Sequence, residues 1–242
     1  KDLGRDEFLR LVEEEKKALC YQTVEIDTTA FDGAIPAPLL EAPKVVIEDT
    51  AAFEAWKKSN VIAQKQAGYV AIGIKVLLGD FYTDKARALA ELIKNYAANE
   101  LRFTLRQDIL IRHVKEENLP FFYQELAKLD FVALGYNTIS DITACPGTDT
   151  CNLGIASSTG IAVELERVLE TEYPQYSNNQ EITIKISGCM NACGQHNMAE
   201  IGFQGMSINS GKLVAPALQV LLGGGNLGNG NGRFSDKVIK IP

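Results

Sequence analysis

The sequence predicts an α+β protein made of two packed units, and three observations lead to this fold class. The first is the order strand, helix, strand, helix in the middle of the chain. The second is a further long helix followed by several strand-like segments in the C-terminal part. The third is size, because 242 residues with 46% hydrophobic and 23% charged residues are enough to bury a substantial core.

The N-terminal part predicts two helices separated by a connector. Apolar residues recur at helical spacing over residues 6–20, with acidic residues and lysines between them, which is typical of an amphipathic helix. Residues 27–43 contain three prolines and are expected to be an extended connector. A short helix is predicted over residues 51–58, with Asp49 or Thr50 as its N-cap.

The middle of the chain has the pattern of a ferredoxin-like α+β unit, in which strands and helices alternate. Residues 68–80 predict a β-rich segment, and residues 82–100 predict a helix. Residues 101–114 are predicted to be a single strand, because apolar and polar side chains alternate from Leu101 to Arg106, which is typical of a strand with one buried face and one polar face. His113 closes this strand and is expected to be an ordinary half-exposed side chain. Residues 118–129 predict a second helix.

The C-terminal part predicts a second unit, which contains four of the five cysteines. A long helix is predicted over residues 155–172, followed by strand-like segments at 181–187, 199–208 and 212–222. The chain then ends in a stretch rich in glycine and asparagine, which is interpreted as a tail. Its string GGGNLG is not followed by a helix, so it does not indicate a dinucleotide-binding site.

Composition and charge argue against several classes of protein. A net charge of −7 is unlike the basic face of a nucleic-acid-binding domain. No apolar run approaches the roughly 20 residues that span a bilayer, and the charged start is unlike a signal peptide. An odd number of cysteines in a chain of this length favours a reducing cytoplasm over a disulfide-stapled secreted domain. Because no initiator Met is present, the chain is expected to be a piece of a longer protein.

Four cysteines form two pairs, and both pairs are predicted to lie in loops that contain glycine. Cys145 and Cys151 form a C-x5-C pair, and Cys189 and Cys193 form a C-x3-C pair after 37 intervening residues. Four thiolates suit either tetrahedral zinc or an iron–sulfur cluster. Structural zinc sites use tighter pairs, so the wide first pair favours a cubane, while zinc or a purely structural role stays open. Cys20 ends the first helix and is interpreted as a small buried hydrophobic residue.

Two stretches of sequence connect these cysteines to a known family. TACPGTDTCNLG at residues 143–154, followed after a helix and a strand by GCMNACGQHNMAEIGFQG at 188–205, closely resembles the cluster motif of sirohaem/4Fe–4S nitrite and sulfite reductases. LRFTLRQDI at residues 101–109 resembles the R-x-T-x-R/N-Q strand of the same family. The resemblance covers roughly residues 60–242. It implies a ferredoxin-like half-domain packed with a 4Fe–4S-binding α/β half-domain, which together form one reductase repeat.

The resemblance also implies the division of the chain and the residues that hold the cofactors. The expected segments are a lead-in helix and connector at 1–59, the ferredoxin-like half-domain at 60–132 and the 4Fe–4S/sirohaem-binding half-domain at 133–242. The implied ligands of one 4Fe–4S cluster are Cys145, Cys151, Cys189 and Cys193, the last of which would also bridge to the sirohaem iron. Sirohaem is a polycarboxylate, so its pocket needs arginines and amide donors. The residues assigned to it are Arg102, Thr104, Arg106, Gln107, Asn191 and Cys193.

The function implied by the resemblance is the six-electron reduction of nitrite to ammonia or of sulfite to sulfide. Reductases of this family contain two repeats, and only the cluster-bearing repeat is recognisable here, so the isolated chain is expected to be inactive and either cofactor can be absent from it. The missing first repeat is an implied partner, ferredoxin is the implied electron donor, and the choice between nitrite and sulfite stays open. The alternative is a metal-binding or structural docking module that has a reductase-like repeat without the reaction.

Overall fold

The chain divides into two compact units, Lys1–Ile35 and Pro36–Pro242. The structure, a computed structural model, describes residues 3–20, 25 and 38–242, apart from residue 229 and the side chain of residue 210. Most of the connector predicted for residues 27–43 lies outside this described part. Among the helices that are described, none is both long enough and apolar enough to cross a membrane.

The smaller unit contains the predicted N-terminal helix, α1 (Arg5–Ala18). Acidic residues in its first turn and lysines in its last turn complement the helix dipole, and an ion pair joins Glu7 to Arg10 at 2.6 Å. None of the side chains of α1 is buried. Cys20 is exposed, so its interpretation as a buried residue is wrong. The reason is that this helix has no buried face for a small hydrophobic residue to join.

The larger unit contains four helices and eleven strands within its described residues. The helices are α2 (Thr50–Asn60), α3 (Thr83–Tyr96), α4 (Leu119–Lys128) and α5 (Ser158–Thr171). The strands are β1 (Val61–Ala63), β2 (Tyr69–Ile74), β3 (Leu101–Phe103), β4 (Ile109–Lys115), β5 (Thr143–Ala144), β6 (Ile184–Ser187), β7 (Ile201–Ser210), β8 (Leu213–Leu222), β9 (Gly225–Gly228), β10 (Asn231–Arg233) and β11 (Asp236–Ile241). All four predicted helices of this unit are confirmed, and the α+β class with them.

The first sheet is antiparallel and has the strand order β1-β2-β4-β3. Helices α2, α3 and α4 contribute to its core, in which Trp56, Ile72, Leu89 and Phe122 are almost fully buried. Helix α2 begins as predicted, because the Asp49 carboxylate accepts a hydrogen bond from the backbone of the first turn. This sheet and its helices form one continuous apolar cluster.

The single strand predicted for residues 101–114 is wrong, because this segment is the hairpin β3–β4. Phe103 pairs with Ile109, and residues 104–108 form the turn between the strands. The hydroxyl of Thr104 accepts hydrogen bonds from the backbone N–H groups of residues 106 and 108, both at 3.2 Å. A threonine hydroxyl that accepts hydrogen bonds from backbone N–H groups, which have no strand partner within the turn, stabilises a tight turn. The alternation of apolar and polar residues runs from Leu101 into the turn and suggested one strand, although three consecutive polar residues, 106–108, interrupt it there.

His113 is buried, so its expected half exposure is also wrong. It lies inside β4 at φ 58, where the pairing of β4 with β2 shifts register. Its backbone N–H donates to the Gln64 side chain at 2.7 Å, and its ring contacts the edge of Tyr69. A bulge of this kind turns a side chain toward the sheet interior, which periodicity does not predict.

The second sheet is mixed and has the strand order β11-β8-β7-β6-β5. Strands β5, β6 and β7 are parallel, and β7, β8 and β11 are antiparallel. Its core includes Ile142, Ala162, Ile184 and Ile186, so α5 packs on this sheet. The short strand β5 is an edge strand, and the two cysteine-containing loops follow β5 and β6.

The interpretation of the C-terminal stretch as a tail is wrong. Strands β9 and β10 form a hairpin, and β11 pairs with β8 along most of its length. The side chain of Gln219 on β8 donates a hydrogen bond to the backbone of Ile239 on β11 at 2.9 Å. Glycine and asparagine are poor strand formers, so the composition of β9 and β10 does not indicate strands, and these two form because they pair with each other.

Candidate metal centre

Cys145 directly follows β5 and is held by contacts on three sides. Its backbone N–H donates to the carbonyl of Ile186 at 3.1 Å, which continues the pairing of β5 with β6. Its Sγ accepts a hydrogen bond from the backbone N–H of Gly188 at 3.1 Å. The buried hydroxyl of Ser158, in the first turn of α5, donates to its carbonyl at 2.6 Å. The first cysteine is therefore anchored to the loop of the second pair and to α5.

The two cysteine-containing loops touch through backbone atoms at Gly147 and Gly188. A Cβ atom on Gly188 would lie 2.7 Å from the Cα of Gly147, which leaves no room for a side chain. The carbonyl of Gly188 accepts hydrogen bonds from the backbone N–H groups of Ile155 and Ala156, at 2.8 and 3.1 Å. Glycine is required here because it permits close approach of two backbones.

The second loop, residues 188–195, is held against β6 by polar contacts. The backbone N–H of Gly194 donates to the buried hydroxyl of Ser187 at 3.0 Å. Lys185, also on β6, donates through Nζ to the side chain of Gln195 at 2.9 Å. Burial and the nearby Arg106 guanidinium lower the pKa of Lys185. These contacts hold the two residues that directly follow Cys193 against β6.

The four cysteines differ in exposure, and none is in a disulfide. Cys189 is buried, Cys145 is half-buried, and Cys151 and Cys193 are exposed. The structure brings the loops of both pairs into contact. It does not gather the thiols into one group: in the part of the chain that is described, no three His, Cys, Asp or Glu side chains are arranged to hold a metal ion.

The two arginines assigned to sirohaem lie in different parts of the β3–β4 hairpin. Arg102, on β3, is exposed and forms an ion pair with Glu100 at 3.1 Å. Arg106 lies in the turn and donates through Nη1 to the carbonyl of Thr138 at 3.1 Å. Asn191, from the second cysteine loop, is exposed. Arg102 and Asn191 therefore have side chains that solvent or a ligand can reach.

The other two hairpin residues assigned to sirohaem have partners within the protein. The hydroxyl of Thr104 closes the turn. The amide of Gln107 makes two hydrogen bonds to the backbone of Ala144, one from Nε2 to the carbonyl and one from the N–H to Oε1, both at 2.9 Å. The turn is therefore joined to the residue that precedes Cys145.

A pair of buried carboxyl groups beside this turn was missed by sequence reasoning. Asp108 is fully buried and Asp141 nearly so, and one oxygen of Asp108 accepts from the backbone N–H of Val76 at 2.8 Å. Burial first, and then the carboxyl of Asp141, raise the pKa of Asp108 to about 9. Burial and these carboxyls likewise raise the pKa of Tyr136 to about 12. At neutral pH Asp108 is therefore protonated and can donate to Asp141.

A buried ion pair joins the end of β2 in the first sheet to α5, which packs on the second sheet. Sequence reasoning missed this pair as well. Lys75, which follows β2, lies 3.2 Å from the carboxylate of Glu166 on α5, and only 8% and 12% of these side chains are exposed. Burial raises the pKa of Glu166, and Lys75 opposes that shift. The partners are 91 residues apart, so no local pattern links them.

His196, three residues after Cys193, is buried and starts a short 3-10 turn. Burial lowers its pKa, while a hydrogen bond with Gln204 opposes the shift. The ring is therefore neutral at pH 7, with a carboxamide neighbour to orient it.

Comparison with known proteins places these features in one family. Residues 62–129 match the model of the nitrite/sulfite reductase ferredoxin-like half domain. Residues 135–238, which hold both cysteine loops, match the model of the nitrite and sulphite reductase 4Fe–4S domain. The chain belongs to the nitrite and sulfite reductase family. The resemblance noted in the cysteine motifs is thereby confirmed, and both family models lie within the larger unit.

Individual members of this family match most of this chain but are much longer than it. The ferredoxin–nitrite reductase of Synechococcus elongatus is 27% identical over 172 residues, which are 70% of this chain and 33% of that protein. Sulfite reductase [ferredoxin] 1 of Mycolicibacterium paratuberculosis is 26% identical over 231 residues, which are 93% and 37% of the two chains. The solved structure of the NirA protein of Mycobacterium tuberculosis has 27% identity and a TM-score of 0.61, and it covers 99% of this chain and 40% of that one. The chain thus spans between a third and two fifths of the length of these relatives.

Proposed function

We propose that this chain is the cluster-bearing part of a sirohaem nitrite or sulfite reductase, which reduces nitrite to ammonia or sulfite to sulfide. The observation that carries the proposal is the contact between the C-x5-C and C-x3-C loops at Gly147 and Gly188. This contact lies within the segment that matches the family's 4Fe–4S domain. Relatives that reduce nitrite and relatives that reduce sulfite both match this chain, so the proposal names both substrates.

The proposed ligands of the 4Fe–4S cluster are Cys145, Cys151, Cys189 and Cys193. Their chemistry fits, because cubane clusters are held by four thiolates and all four thiols are free. A backbone N–H already donates to Cys145 Sγ, and hydrogen bonds to cluster sulfurs influence the reduction potential. The two exposed thiols, Cys151 and Cys193, lie on loops whose backbones make hydrogen bonds close to them, from Cys151 to Gly147 and from Gly194 to Ser187.

For sirohaem, we propose two kinds of role for the assigned residues. Arg102, Asn191 and Cys193 are exposed and are proposed to contact the macrocycle or its iron directly. Exposure of an arginine suits this role, since a guanidinium can pair with a carboxylate through two hydrogen bonds. The side chains that hold the hairpin turn in place are proposed to support it from behind, and these are Thr104, Arg106 and Gln107. Sirohaem, when bound, supplies the iron on which the anion is reduced.

The proposed partners follow from the family and from the share of it that this chain spans. We propose a first reductase repeat as the partner that completes the substrate site, and ferredoxin as the electron donor. The division into segments 1–59, 60–132 and 133–242 is likewise a proposal, which the two family matches at 62–129 and 135–238 support. A reducing compartment such as the cytoplasm suits four free thiols.

The first prediction tests the cluster by anaerobic reconstitution with iron and sulfide. The chain should bind about four irons and show the broad absorbance of a cubane, and Cys145→Ser should abolish that absorbance. Cys20→Ser is the matched control, because Cys20 is exposed and lies in the other unit. Full cluster occupancy in Cys145→Ser would remove this residue from the ligand set. Binding of zinc without iron would favour the structural docking module.

The second prediction concerns activity of the isolated chain. Supplied with an artificial electron donor, the chain alone should reduce neither nitrite nor sulfite, even after cluster reconstitution. Ammonia or sulfide formation would be measured directly. Turnover by the chain alone would contradict the proposed need for a first repeat and leave the cluster assignment intact.

A further inference from the structure

The edge strand β5 lacks a strand partner on one side, within the described residues. Ala144, the last residue of β5, is buried, with 2% of its surface exposed. On that open side its N–H and its carbonyl are both bound by the amide of Gln107, each at 2.9 Å. The carboxamide thus makes the two hydrogen bonds that a neighbouring strand would otherwise make with Ala144. Buried backbone groups without such partners would be destabilising.

Gln107 is itself held by the turn in which it lies. Its backbone has φ 72, a left-handed conformation that is uncommon outside glycine, and its N–H donates to the carbonyl of Thr104 at 3.2 Å. The next residue, Asp108, binds the backbone of Val76 through its carboxyl group. The turn is therefore anchored to the first sheet, and the Gln107 side chain extends from it to β5.

We propose that Gln107 is a positioning residue for Cys145, acting through the backbone of Ala144. This inference rests on the proposed function, because it assigns Cys145 to the cluster. The peptide bond after Ala144 carries the N–H of Cys145, which bonds to Ile186. Residue 144 is therefore held from both sides, by β6 and by the carboxamide. Loss of the hydrogen bonds from Gln107 would let Cys145 move relative to the second cysteine loop.

The test compares three single variants of the full chain. Gln107→Met keeps the length of the side chain and removes both hydrogen bonds to Ala144. Gln107→Glu keeps the acceptor for the N–H and removes the donor to the carbonyl. Gln124→Met is the matched control, because Gln124 on α4 makes one side-chain hydrogen bond, to the backbone of Val46 at 3.1 Å, far from both cysteine loops in sequence.

The first readout is amide hydrogen exchange in metal-free protein, which needs no bound cofactor. Exchange at Ala144 should accelerate most in Gln107→Met, less in Gln107→Glu, and not at all in the control. Unchanged protection at Ala144 in Gln107→Met would overturn the inference. If Gln107→Met fails to fold, Gln107→Glu decides, since its carboxylate still accepts from the Ala144 N–H while the carbonyl loses its donor.

The second readout is the reconstituted cluster, followed by iron release to a chelator and by the electron paramagnetic resonance spectrum of the reduced state. Iron release should be about tenfold faster in Gln107→Met, the size of effect seen when groups that orient metal ligands are removed. Wild-type release and an unaltered spectrum would overturn the positioning role while leaving the proposed function in place. Absence of a cluster in the wild-type chain would overturn the proposed function, and hydrogen exchange would then decide the role of Gln107.

Discussion

The buried carboxyl pair makes a quantitative prediction about stability. The pKa of Asp108 is raised from 3.8 to about 9, so the folded state keeps this proton over a pH range in which the unfolded state loses it. The stability that the protonated group contributes is complete below 3.8 and is lost as pH rises toward 9. Each pH unit in that range costs about 1.4 kcal/mol for one proton. Between pH 5 and pH 8, the loss from Asp108 is therefore up to about 4 kcal/mol.

The variant Asp108→Asn should remove this loss. An amide cannot ionise, its oxygen can accept from the Val76 N–H, and its nitrogen can donate to Asp141. The free energy of unfolding would be measured in urea at pH 5 and pH 8, with fluorescence of Trp56, the single tryptophan, as the probe. The variant should lose up to about 4 kcal/mol less than the wild-type chain between the two pH values.

A matched control separates this effect from a general change of surface charge. Asp130→Asn changes the same residue type, but the Asp130 side chain is 85% exposed and pairs with Lys85 at the surface. Its pH dependence should match that of the wild-type chain, because exposed ion pairs contribute little. If Asp108→Asn loses as much stability with rising pH as the wild-type chain does, Asp108 is not the group that holds the proton, and the reasoning is refuted.

Two further predictions concern the ion pair and the loop contact. Glu166→Gln leaves the buried Lys75 without a countercharge and should destabilise the protein by about 3–5 kcal/mol in urea unfolding, while the exposed Glu170→Gln should be nearly neutral. Gly188→Ala should lower the melting temperature and weaken iron retention, because its Cβ would overlap the other cysteine loop. Gly232→Ala is its control, since a Cβ there meets nothing closer than 3.7 Å. If Glu170→Gln destabilised the protein as much as Glu166→Gln, the ion pair would not be the cause. If Gly232→Ala had the same effect as Gly188→Ala, the contact between the two cysteine loops would not be the cause.

Local pattern predicted the helices of this protein well. A capping residue located α2 to within two residues at each end, and helical periodicity located α5 to within three. The strands β7 and β8 also followed from apolar segments. Prediction failed where a specific side-chain hydrogen bond or a distant chain segment decides the structure. The turn at Thr104 depends on a side-chain hydroxyl, and β11 depends on the free edge of β8.

The candidate site was only partly accessible from sequence. The motifs around Cys145, Cys151, Cys189 and Cys193 predicted the family, which the comparisons confirm, and they predicted a set of cluster ligands, which stays a prediction. The structure added the contact between the two loops. It also showed that Gln107, assigned to sirohaem from the motif, binds the backbone of β5. Motif matching locates a residue but does not show which atoms its side chain contacts.

By itself, the sequence determined the α+β class, the order of helices and the two cysteine pairs, because each helix, strand or pair is recognised from residues close together in the chain. Only the tertiary structure decided the burial of His113, the shared environment of Asp108 and Asp141, and the link from Gln107 to the residue before Cys145. Those partners are separated by more than thirty positions along the chain, and their protonation and hydrogen bonding depend on burial. Burial is a property of the packed fold, since it arises only when distant segments exclude water from the same place.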